Sequence, residues 1–280
     1  MNDSYGLLKL QEANLKMLKE LDRICTKYRI PYMLDAGTLL GAVRHGGFIP
    51  WDDDVDITMT RNSWEAFKKV AGTELCKGIS LLLPDSFDGG KRFFDFTPRL
   101  IYENSRRHDP DENSAFYEEK MNHLWVDIFI MDRIPDNAAA AWVMRTQQKK
   151  VYLLAMGHRR QLDMKKYSLP MRFPIAAGAG LGKMFSMNYL FRRQDSMAKS
   201  WNGKKTERWF YSNYQPDYLY VTMKDSWVRN LTRIKFEDTE LSIPADYDII
   251  LKGIYDDYTK LPPMEKRKPT HGSREIEIYG

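Results

Sequence analysis

Apolar positions recur at helical spacing at the start of the chain and give way to short apolar runs further on. Between residues 7 and 29 they fall three or four apart, with charged side chains mostly between them, which predicts an amphipathic helix. The apolar run 32–36 predicts a buried strand. Gly37-Thr38 then predicts a turn and an N-cap for a short helix that ends near Val43.

The same patterns continue along the rest of the chain. They predict strands at residues 54–59, 79–83, 93–102, 125–130, 209–211 and 227–236, with a hairpin-type turn at 85–90. They predict helices at residues 62–75, capped by Asn62-Ser63, and at 136–163 and 246–258. The expected fold is mixed α+β, with a small mixed β-sheet flanked by helices. We divide it into a catalytic core (1–135), a helical insert (136–205) and C-terminal strands and a helix that complete the catalytic domain (206–280).

The composition limits the classes of function. The chain has 280 residues, 43% of them hydrophobic, and a formal net charge of +5 from 43 basic and 38 acidic side chains. This mild excess suits an anionic substrate or membrane surface, and nucleic-acid binding is not expected because no long basic stripe precedes the C-terminal tail. Cys25 and Cys76 are expected as small core residues in a reducing compartment. Residues 1–10 lack a secretory pattern, so we expect a cytoplasmic protein.

Residues 169–191 combine apolar side chains with basic side chains at or near both ends. Pro174 and several glycines interrupt the segment too often for a membrane span. Two interpretations stay open. The segment is either a peripheral contact with the inner face of the cell membrane, or a buried helix followed by a glycine-rich loop.

Four carboxylates fall within five residues, at Asp52, Asp53, Asp54 and Asp56. Because successive side chains of a strand alternate between its faces, Asp54 and Asp56 are expected to point the same way. Two adjacent carboxylates repel unless a cation lies between them, and oxygen ligands without cysteine or histidine favour Mg²⁺ or Mn²⁺. Mg²⁺ completes its coordination with water and substrate phosphates, so the pair predicts a phosphate-bearing substrate.

Three other interpretations compete for this acidic cluster. A calcium-binding loop requires glycine and glutamate at positions where Ile57 and Ser63 stand, so it fails. A solvated acidic turn conflicts with Val55, Ile57 and Met59, which predict a strand that enters a core. A glycosyltransferase motif that binds a nucleotide-sugar diphosphate through a metal is the third, and an acid-x-acid pattern alone does not exclude it.

The segment before the acids favours phosphate chemistry. A strand followed by Gly37-Thr38 at a helix start would present backbone N–H groups to an anion. Arg44 and His45 add charge and donors, and Gly46-Gly47 would let a phosphate approach the backbone closely. An anion site followed by paired strand carboxylates is the plan of a nucleotidyltransferase-type site.

Such a site normally has a third acid on a neighbouring strand. Asp127 is a lone acid in the otherwise apolar run 125–130. A buried acid is unfavourable unless a cation or strong donors accompany it, which makes Asp127 the preferred candidate. Asp95, between Phe94 and Phe96, is the competing candidate.

These residues also carry a family resemblance. The run 37–57, followed by 97–99 and 126–129, resembles the LicD/fukutin-related family, and so do three segments near the end, at 243–248, 255–258 and 261–263. The resemblance covers most of the chain in order. Residues 136–205 match it poorly, as expected of a lineage-specific insert that contacts the acceptor or a membrane.

The resemblance implies a nucleotidyltransferase-like fold and transfer of a phospho-alcohol from a cytidine diphosphate donor to a glycan hydroxyl. For bacterial members it implies CDP-choline as donor. The implied acceptor is a sugar of a teichoic acid, lipopolysaccharide or capsule precursor, including lipid-linked glycans. Ribitol, glycerol or a sugar phosphate as the transferred group, a metal-dependent glycosyltransferase and an inactive binding module are the alternatives.

Carried onto this sequence, the family's paired metal ligands match Asp54 and Asp56, and its third ligand matches Asp127. One or two Mg²⁺ (or Mn²⁺) ions at these acids would neutralise charge on the leaving CMP, and Asp127 would assist as base. Further substrate contacts are expected from the helix start and from basic side chains: Gly37, Thr38, Arg44, His45, Arg99, Lys266, Arg267 and His271. For the last three, a solvated basic tail is the alternative.

Overall fold

The computed structural model describes residues 5–108, 112–270 and 276–279. Its helices are α1 (Leu8–Tyr28), α2 (Ala36–His45), α3 (Arg61–Glu74), α4 (Glu112–Phe116), α5 (Ala138–Ala155), α6 (Leu169–Gly182), α7 (Met187–Ala198), α8 (Asp225–Arg229) and α9 (Tyr247–Tyr255). Its strands are β1 (Met33–Leu34), β2 (Asp56–Thr60), β3 (Ile79–Leu82), β4 (Arg99–Tyr102), β5 (Ser105–Arg107), β6 (Leu124–Ile134), β7 (Arg208–Tyr211), β8 (Thr222–Lys224), β9 (Leu231–Phe236), β10 (Thr239–Pro244) and β11 (Ile276–Ile278). The predicted mixed α+β class is confirmed.

The central sheet is mixed and is organised around β6. Its strand order is β1-β2-β6-β4-β3, with β7 paired to β6 and β8 paired to β7. β2 runs parallel to β6, whereas the other neighbours are antiparallel. Asp56 of β2 lies opposite Asp127 of β6, and Asp127 in turn lies opposite Arg99 of β4. Because directly opposed residues share a face of the sheet, these three side chains form one row across three strands.

The main core lies between this sheet and the helices packed on it. The apolar stripe of α1, represented by Leu18 and Leu21, is fully buried in the same cluster as Val126 and Ile128 of β6. Burial of this stripe explains why residues 7–29 form a helix as predicted, since an amphipathic helix gains most of its stability from packing of its apolar face.

Helices α5, α6 and α7 pack against one another and against Phe93 and Phe96, which precede β4. Strands β7 and β8 then return to the central sheet. The β9–β10 hairpin and α9 follow. The division of the chain into core, insert and C-terminal part stays a prediction.

The structure corrects two predicted helix caps. Asp35 is the N-cap of α2 and accepts a hydrogen bond from Ala36 N, so the prediction of Gly37-Thr38 as the cap was wrong. Thr60 caps α3, where Asn62-Ser63 had been predicted. In both cases a polar side chain at the end of the preceding strand accepts the hydrogen bond, so strand and helix are joined without an intervening turn.

Several predicted elements are shorter than expected. Only residues 99–102 of the predicted strand 93–102 pair with a neighbour, because Phe93 and Phe96 pack towards the helices. The turn at 85–90 contains a 3-10 helix, Phe87–Gly90, in place of a tight hairpin. The long helix predicted at 136–163 ends at Ala155, and the strand predicted at 227–236 begins only after α8. Cys76 is exposed, while Cys25 is in the core as predicted.

Residues 169–191 form helix α6 and the first part of α7. The glycines of this segment lie within α6, whose apolar side chains are largely exposed, including Leu169 (75%) and Phe173 (80%). The prediction of a buried helix with a glycine-rich loop was therefore wrong. In the part of the chain that the structure describes, no helix has the length and apolar character needed to cross a membrane.

Candidate active site

The three predicted metal ligands, Asp54, Asp56 and Asp127, line one cavity of about 170 Å³. Asp56 is the first residue of β2, and Asp127 is its neighbour on β6. Asp54 precedes the strand, so the argument that it shares a strand face with Asp56 was wrong, although both side chains reach the same cavity. We call this cavity, with its lining carboxylates, the acidic cavity.

The carboxylates of the acidic cavity repel one another. Burial and the negative charges of Asp54 and Asp127 raise the pKa of Asp56 well above its ordinary value. Burial also raises the pKa of Asp127, against the opposing effect of Arg99. A divalent cation would relieve this repulsion, and an all-oxygen ligand set suits Mg²⁺ or Mn²⁺. The residues present therefore fit such an ion.

Arg99 balances part of this negative charge. Its Nε lies 2.8 Å from Asp127 Oδ1, and its Nη1 and Nη2 donate to the two carboxylate oxygens of Asp95 at 3.0 and 2.6 Å. The rings of Phe94 and Trp125 lie 5.2 and 5.4 Å from its guanidinium carbon. Arg99 thus joins the two acids that compete for the role of third ligand, and its contact with a substrate anion stays a prediction.

A second group of acids lies beside the first. Among the described residues, Asp52, Asp53 and Asp54 offer carboxylate oxygens that all lie within 4.8 Å of one another and could hold a metal ion. Asp53 is 1% exposed and accepts a hydrogen bond from Thr270 N at 3.1 Å, which fits a role in holding the loop. Within the described ranges of the chain, Asp54, Asp56 and Asp127 do not come together this closely, so the three predicted ligands share a cavity without converging as Asp52, Asp53 and Asp54 do. Asp54 belongs to both groups.

The start of α2 positions these acids. A Cβ at Gly37 would lie 2.8 Å from Asp52 Oδ2, so only glycine lets the Asp52 carboxylate approach the helix. Thr38 Oγ1 accepts a hydrogen bond from Asp56 N at 3.0 Å and thereby fixes the first residue of β2. Asp35 accepts from Ala36 N and from Thr58 Oγ1. Direct contact of Gly37 and Thr38 with substrate stays a prediction.

A second cavity, which we call the α2 cavity, has a volume of about 460 Å³ and runs along α2. Its lining includes Gly37, Arg44, Trp51 and Asp52, and two aromatic side chains from the C-terminal region, Tyr255 and Tyr258. Arg44 and His45 lie in the last turn of α2, with Arg44 Nη1 donating to Tyr258 O at 3.0 Å and Arg44 Nε to His45 Nε2 at 3.0 Å. Burial, with a smaller contribution from the Arg44 charge, lowers the pKa of His45, so its imidazole is neutral near pH 7.

The C-terminal tail folds back over the same region. The guanidinium carbon of Arg267 lies 5.6 Å from the Trp51 ring, and its Nε donates to Pro262 O at 2.8 Å. Lys266 is exposed, and His271 lies outside the described residues. Contacts of these three side chains with phosphate stay a prediction.

A third cavity, of about 570 Å³, adjoins the acidic cavity, and the two share the side chains Asp95, Trp125 and Gln215. Gln215 and its neighbour Tyr214, which lines the acidic cavity, carried no signal in the sequence because they lie in a loop after β7. Asp35 was also missed, although it could have been found by the argument used for Asp127, since it is a lone acid at the end of an apolar run.

Comparison with known proteins agrees with the resemblance. Residues 29–170 match the family model described as LicD/FKTN/FKRP, nucleotidyltransferase domain. Over 278 residues the chain is 26% identical to the lipopolysaccharide cholinephosphotransferase LicD of Haemophilus influenzae, an alignment that covers 94% of this chain and 96% of that protein. An uncharacterised protein of Rickettsia typhi is 42% identical over 55 residues (20% of this chain, 18% of that protein), and one of Rickettsia prowazekii is 52% identical over 42 residues (15% and 16%). The family model spans half of the chain, and the chain therefore belongs to the LicD family.

Proposed function

We propose that this protein is a metal-dependent transferase that moves phosphocholine from CDP-choline to a hydroxyl of a cell-surface glycan precursor, such as a teichoic acid, lipopolysaccharide or capsule unit. The observation that carries the proposal is the meeting of Asp54, Asp56 and Asp127 in one cavity of a LicD-family chain. The cholinephosphotransferase of Haemophilus influenzae, alike over nearly the whole chain, supports phosphocholine as the transferred group.

The three acids are assigned to metal binding, and one of them, Asp127, is also assigned a role in the reaction. Asp54, Asp56 and Asp127 would hold Mg²⁺ or Mn²⁺, which would stabilise the negative charge that develops on the phosphates during transfer. The sugar hydroxyl attacks the phosphorus that bears choline, the bond from that phosphorus to the bridging oxygen breaks, and CMP leaves. The hydroxyl proton passes to the Asp127 carboxylate.

The α2 cavity is the proposed donor site. Arg44 lines it with Trp51 and Tyr255, so a cation stands beside aromatic faces on which a base can stack. Burial lowers the pKa of Arg44, and the positive charge of Arg267 adds to this effect, which places the two cations near each other. His45 adds a further donor or acceptor in the same helix turn. A nucleoside diphosphate bound here would extend past Asp52 towards the acidic cavity.

A donor screen tests the proposal. The protein is incubated with Mg²⁺ and with CDP-choline, CDP-ribitol, CDP-glycerol or UDP-sugars, in the presence of delipidated lipopolysaccharide oligosaccharide, and nucleotide release and product mass are measured. We expect CMP release and a mass gain equal to phosphocholine only with CDP-choline. A gain of another phospho-alcohol or of a sugar identifies the corresponding alternative. Turnover that is unchanged in Asp54→Asn and Asp56→Asn would refute the metal assignment, and Asp217→Asn, an exposed acid outside these cavities, is the matched control.

We further propose that the protein works at the inner face of the cell membrane and docks through α6. Exposed apolar side chains of this helix and the following turn include Leu169 (75%), Phe173 (80%) and Met184 (79%). Between residues 164 and 194 the sequence has no Asp or Glu but carries six cations, namely Lys165, Lys166, Arg172, Lys183, Arg192 and Arg193. An exposed apolar face in a segment whose charged side chains are all positive is complementary to an anionic bilayer.

Vesicle co-sedimentation tests the docking. We expect binding to vesicles that contain phosphatidylglycerol, weaker binding to pure phosphatidylcholine, and loss of binding in a Phe173→Glu, Met184→Glu variant. Ile249→Glu, which changes an equally apolar and 55% exposed side chain of α9, is the control and should bind as the unmodified protein does. If the control and the α6 variant bind equally well, α6 is not the docking surface.

A further inference from the structure

We propose that the cavity of about 570 Å³ beside the acidic cavity is the binding site for the acceptor sugar. We call it the lateral cavity. It lies between residues 112–125, which lead into β6, and residues 156–167, which follow α5. Its volume falls within the range of roughly 300–1,000 Å³ that is usual for small-molecule sites. The assignment rests on the proposed transfer reaction and names the substrate that enters from this side.

The lateral cavity adjoins the site of reaction. Asp95, Trp125 and Gln215 line both cavities, so a group bound in one is in contact with the wall of the other. Trp125 Nε1 also donates to Asp127 Oδ2 at 3.2 Å, which ties this shared wall to the proposed base. A sugar stacked against Trp125 would therefore present a hydroxyl towards Asp127.

The lining of the lateral cavity has the chemistry of a saccharide site. Trp125 and Tyr167 provide aromatic faces, against which the C–H faces of a sugar ring pack. Asn122, Gln161 and Gln215 provide amides, each of which both donates and accepts, as a sugar hydroxyl does.

Asn122 supplies a buried donor that the described residues leave without a partner. Its side chain is 2% exposed, and its Oδ1 accepts a hydrogen bond from Ser114 Oγ. Its Nδ2 is buried and has no hydrogen-bond acceptor among the described residues. A buried donor without a partner is unfavourable. Because Asn122 also lines the cavity, a rotation of its amide towards an oxygen-rich ligand would supply the missing acceptor.

The donor is assigned to the α2 cavity and not to the lateral cavity. Arg159 of the lateral cavity directs its Nε and Nη2 to Phe94 O, with Nη2 also donating to Tyr152 Oη. The charged lining of the lateral cavity is mixed, since it includes Arg107 and Lys166 as well as Asp95 and Asp163. The assignment of the sugar to this cavity therefore rests on its aromatic and amide side chains, and the donor would reach the acidic cavity from the α2 cavity.

A matched pair of variants tests the assignment. Gln161→Trp places a large side chain at the mouth of the lateral cavity from an exposed position, whereas Gln147→Trp makes the same change on the exposed surface of α5, outside this cavity. Binding is measured by saturation-transfer NMR with methyl glycosides of hexoses and N-acetylhexosamines and with delipidated lipopolysaccharide oligosaccharide. Kinetic constants for the oligosaccharide and for CDP-choline are measured in parallel.

We expect Gln161→Trp to weaken sugar binding and to raise the acceptor KM about tenfold or more, with the donor KM changed by less than about twofold. Gln147→Trp should match the unmodified protein. Asn122→Ala should raise the acceptor KM in the same direction, and its thermal unfolding shows whether it folds. An increase in the donor KM alone would overturn the assignment, as would the absence of saturation transfer to every sugar in the unmodified protein.

The failure of this inference can be separated from the failure of the proposed function. CMP release from CDP-choline with water as the acceptor reports the transfer chemistry without any sugar. If CMP is released neither with water nor with the oligosaccharide as the acceptor, the proposed donor is wrong. The NMR comparison of Gln161→Trp with Gln147→Trp still decides whether the lateral cavity binds sugars. If the water reaction is present and both variants have the native acceptor KM, the acceptor binds elsewhere.

Discussion

Strand β6 carries two acids, Asp127 and Asp132, in surroundings that differ in one respect. Asp132 is fully buried and surrounded by donors: Arg61 Nε and Nη2 donate to its two oxygens at 3.0 and 2.6 Å, and Asn202 Nδ2 and Ser212 Oγ donate as well. Asp127 has Arg99 and Trp125 as partners but also faces the carboxylates of a cavity. The protein's own donors therefore balance the charge of Asp132, whereas a bound cation would further stabilise the charge of Asp127.

This difference separates a structural acid from a functional one. Both acids occur in the same strand and pair with an arginine, so neither residue type nor the ion pair distinguishes them. They are five residues apart and therefore lie on opposite faces of the sheet. Only the face of Asp127 also carries Asp56 of the neighbouring strand. Burial raises the pKa of both Asp127 and Asp56, and the negative charges of neighbouring acids raise each pKa further. A group of acids that the fold holds together against their repulsion is a candidate site for a cation.

The largest effect is expected from Asp132→Asn. Among the described residues, this change leaves the buried Arg61 guanidinium with one anionic partner at hydrogen-bond distance, the partly exposed Asp195. The free energy of unfolding should therefore fall by about 3–5 kcal/mol. Urea denaturation measures it, with Asp217→Asn as the exposed control. A loss below about 1 kcal/mol would show that the ion pair of Asp132 contributes no more than a surface pair.

The next effect is expected from Asp127→Asn, in activity and not in stability. Loss of a metal ligand and base should lower kcat for CMP release about a hundredfold or more. The free energy of unfolding should fall less than in Asp132→Asn, because Arg99 keeps both hydrogen bonds to Asp95. Steady-state kinetics and urea denaturation of the two variants are measured side by side. If both variants lost the same free energy of unfolding, the distinction between a structural Asp132 and a functional Asp127 would be wrong.

The smallest effect is expected from Asp56→Asn, on the thermal stability of the protein with and without Mg²⁺. Without divalent ions, Asp56→Asn should raise Tm by about 2–4 °C for each kcal/mol of repulsion relieved. Mg²⁺ at about a hundred times its Kd should stabilise the unmodified protein by about 2.7 kcal/mol, but not Asp56→Asn. Differential scanning calorimetry with and without MgCl₂ measures both changes. Asp52→Asn discriminates between the two acid groups: if it, and not Asp56→Asn, removes the Mg²⁺ effect, the ion is held by residues 52–54.

Local patterns determined much of the fold and part of the site. The spacing of apolar residues predicted α1 and β6, because each buries its apolar side chains against a neighbour and so must repeat with the period of its own geometry. Asp54 and Asp56 were predicted because two neighbouring carboxylates repel unless a cation lies between them. Both line the acidic cavity, although the premise that they share one strand face was wrong. Asp127 followed from its isolation among apolar residues.

Tertiary structure decided everything that depends on neighbours distant in the chain. Pairing of β2 with β6 and of β6 with β4 places Asp56, Asp127 and Arg99 in one row. No local pattern encodes this register, because it results from how three strands fit into one sheet. The caps at Asp35 and Thr60 are local, and the sequence could have predicted them, since Asp and Thr are common N-cap residues. The exposure of α6 decided between two interpretations that the sequence had left open.

The two acids of β6 show most clearly what the sequence pattern could not predict. In the sequence, Asp127 and Asp132 are each an acid within a mainly apolar run, and the pattern of that run cannot tell which one a cation would bind. The sequence predicted Asp127 within a strand and made no prediction for Asp132, which lies beyond the predicted strand 125–130. The fold alone decided that Asp132 meets donors and Asp127 meets acids, because the free energy of a buried charge depends on the groups around it and not on its place in the chain.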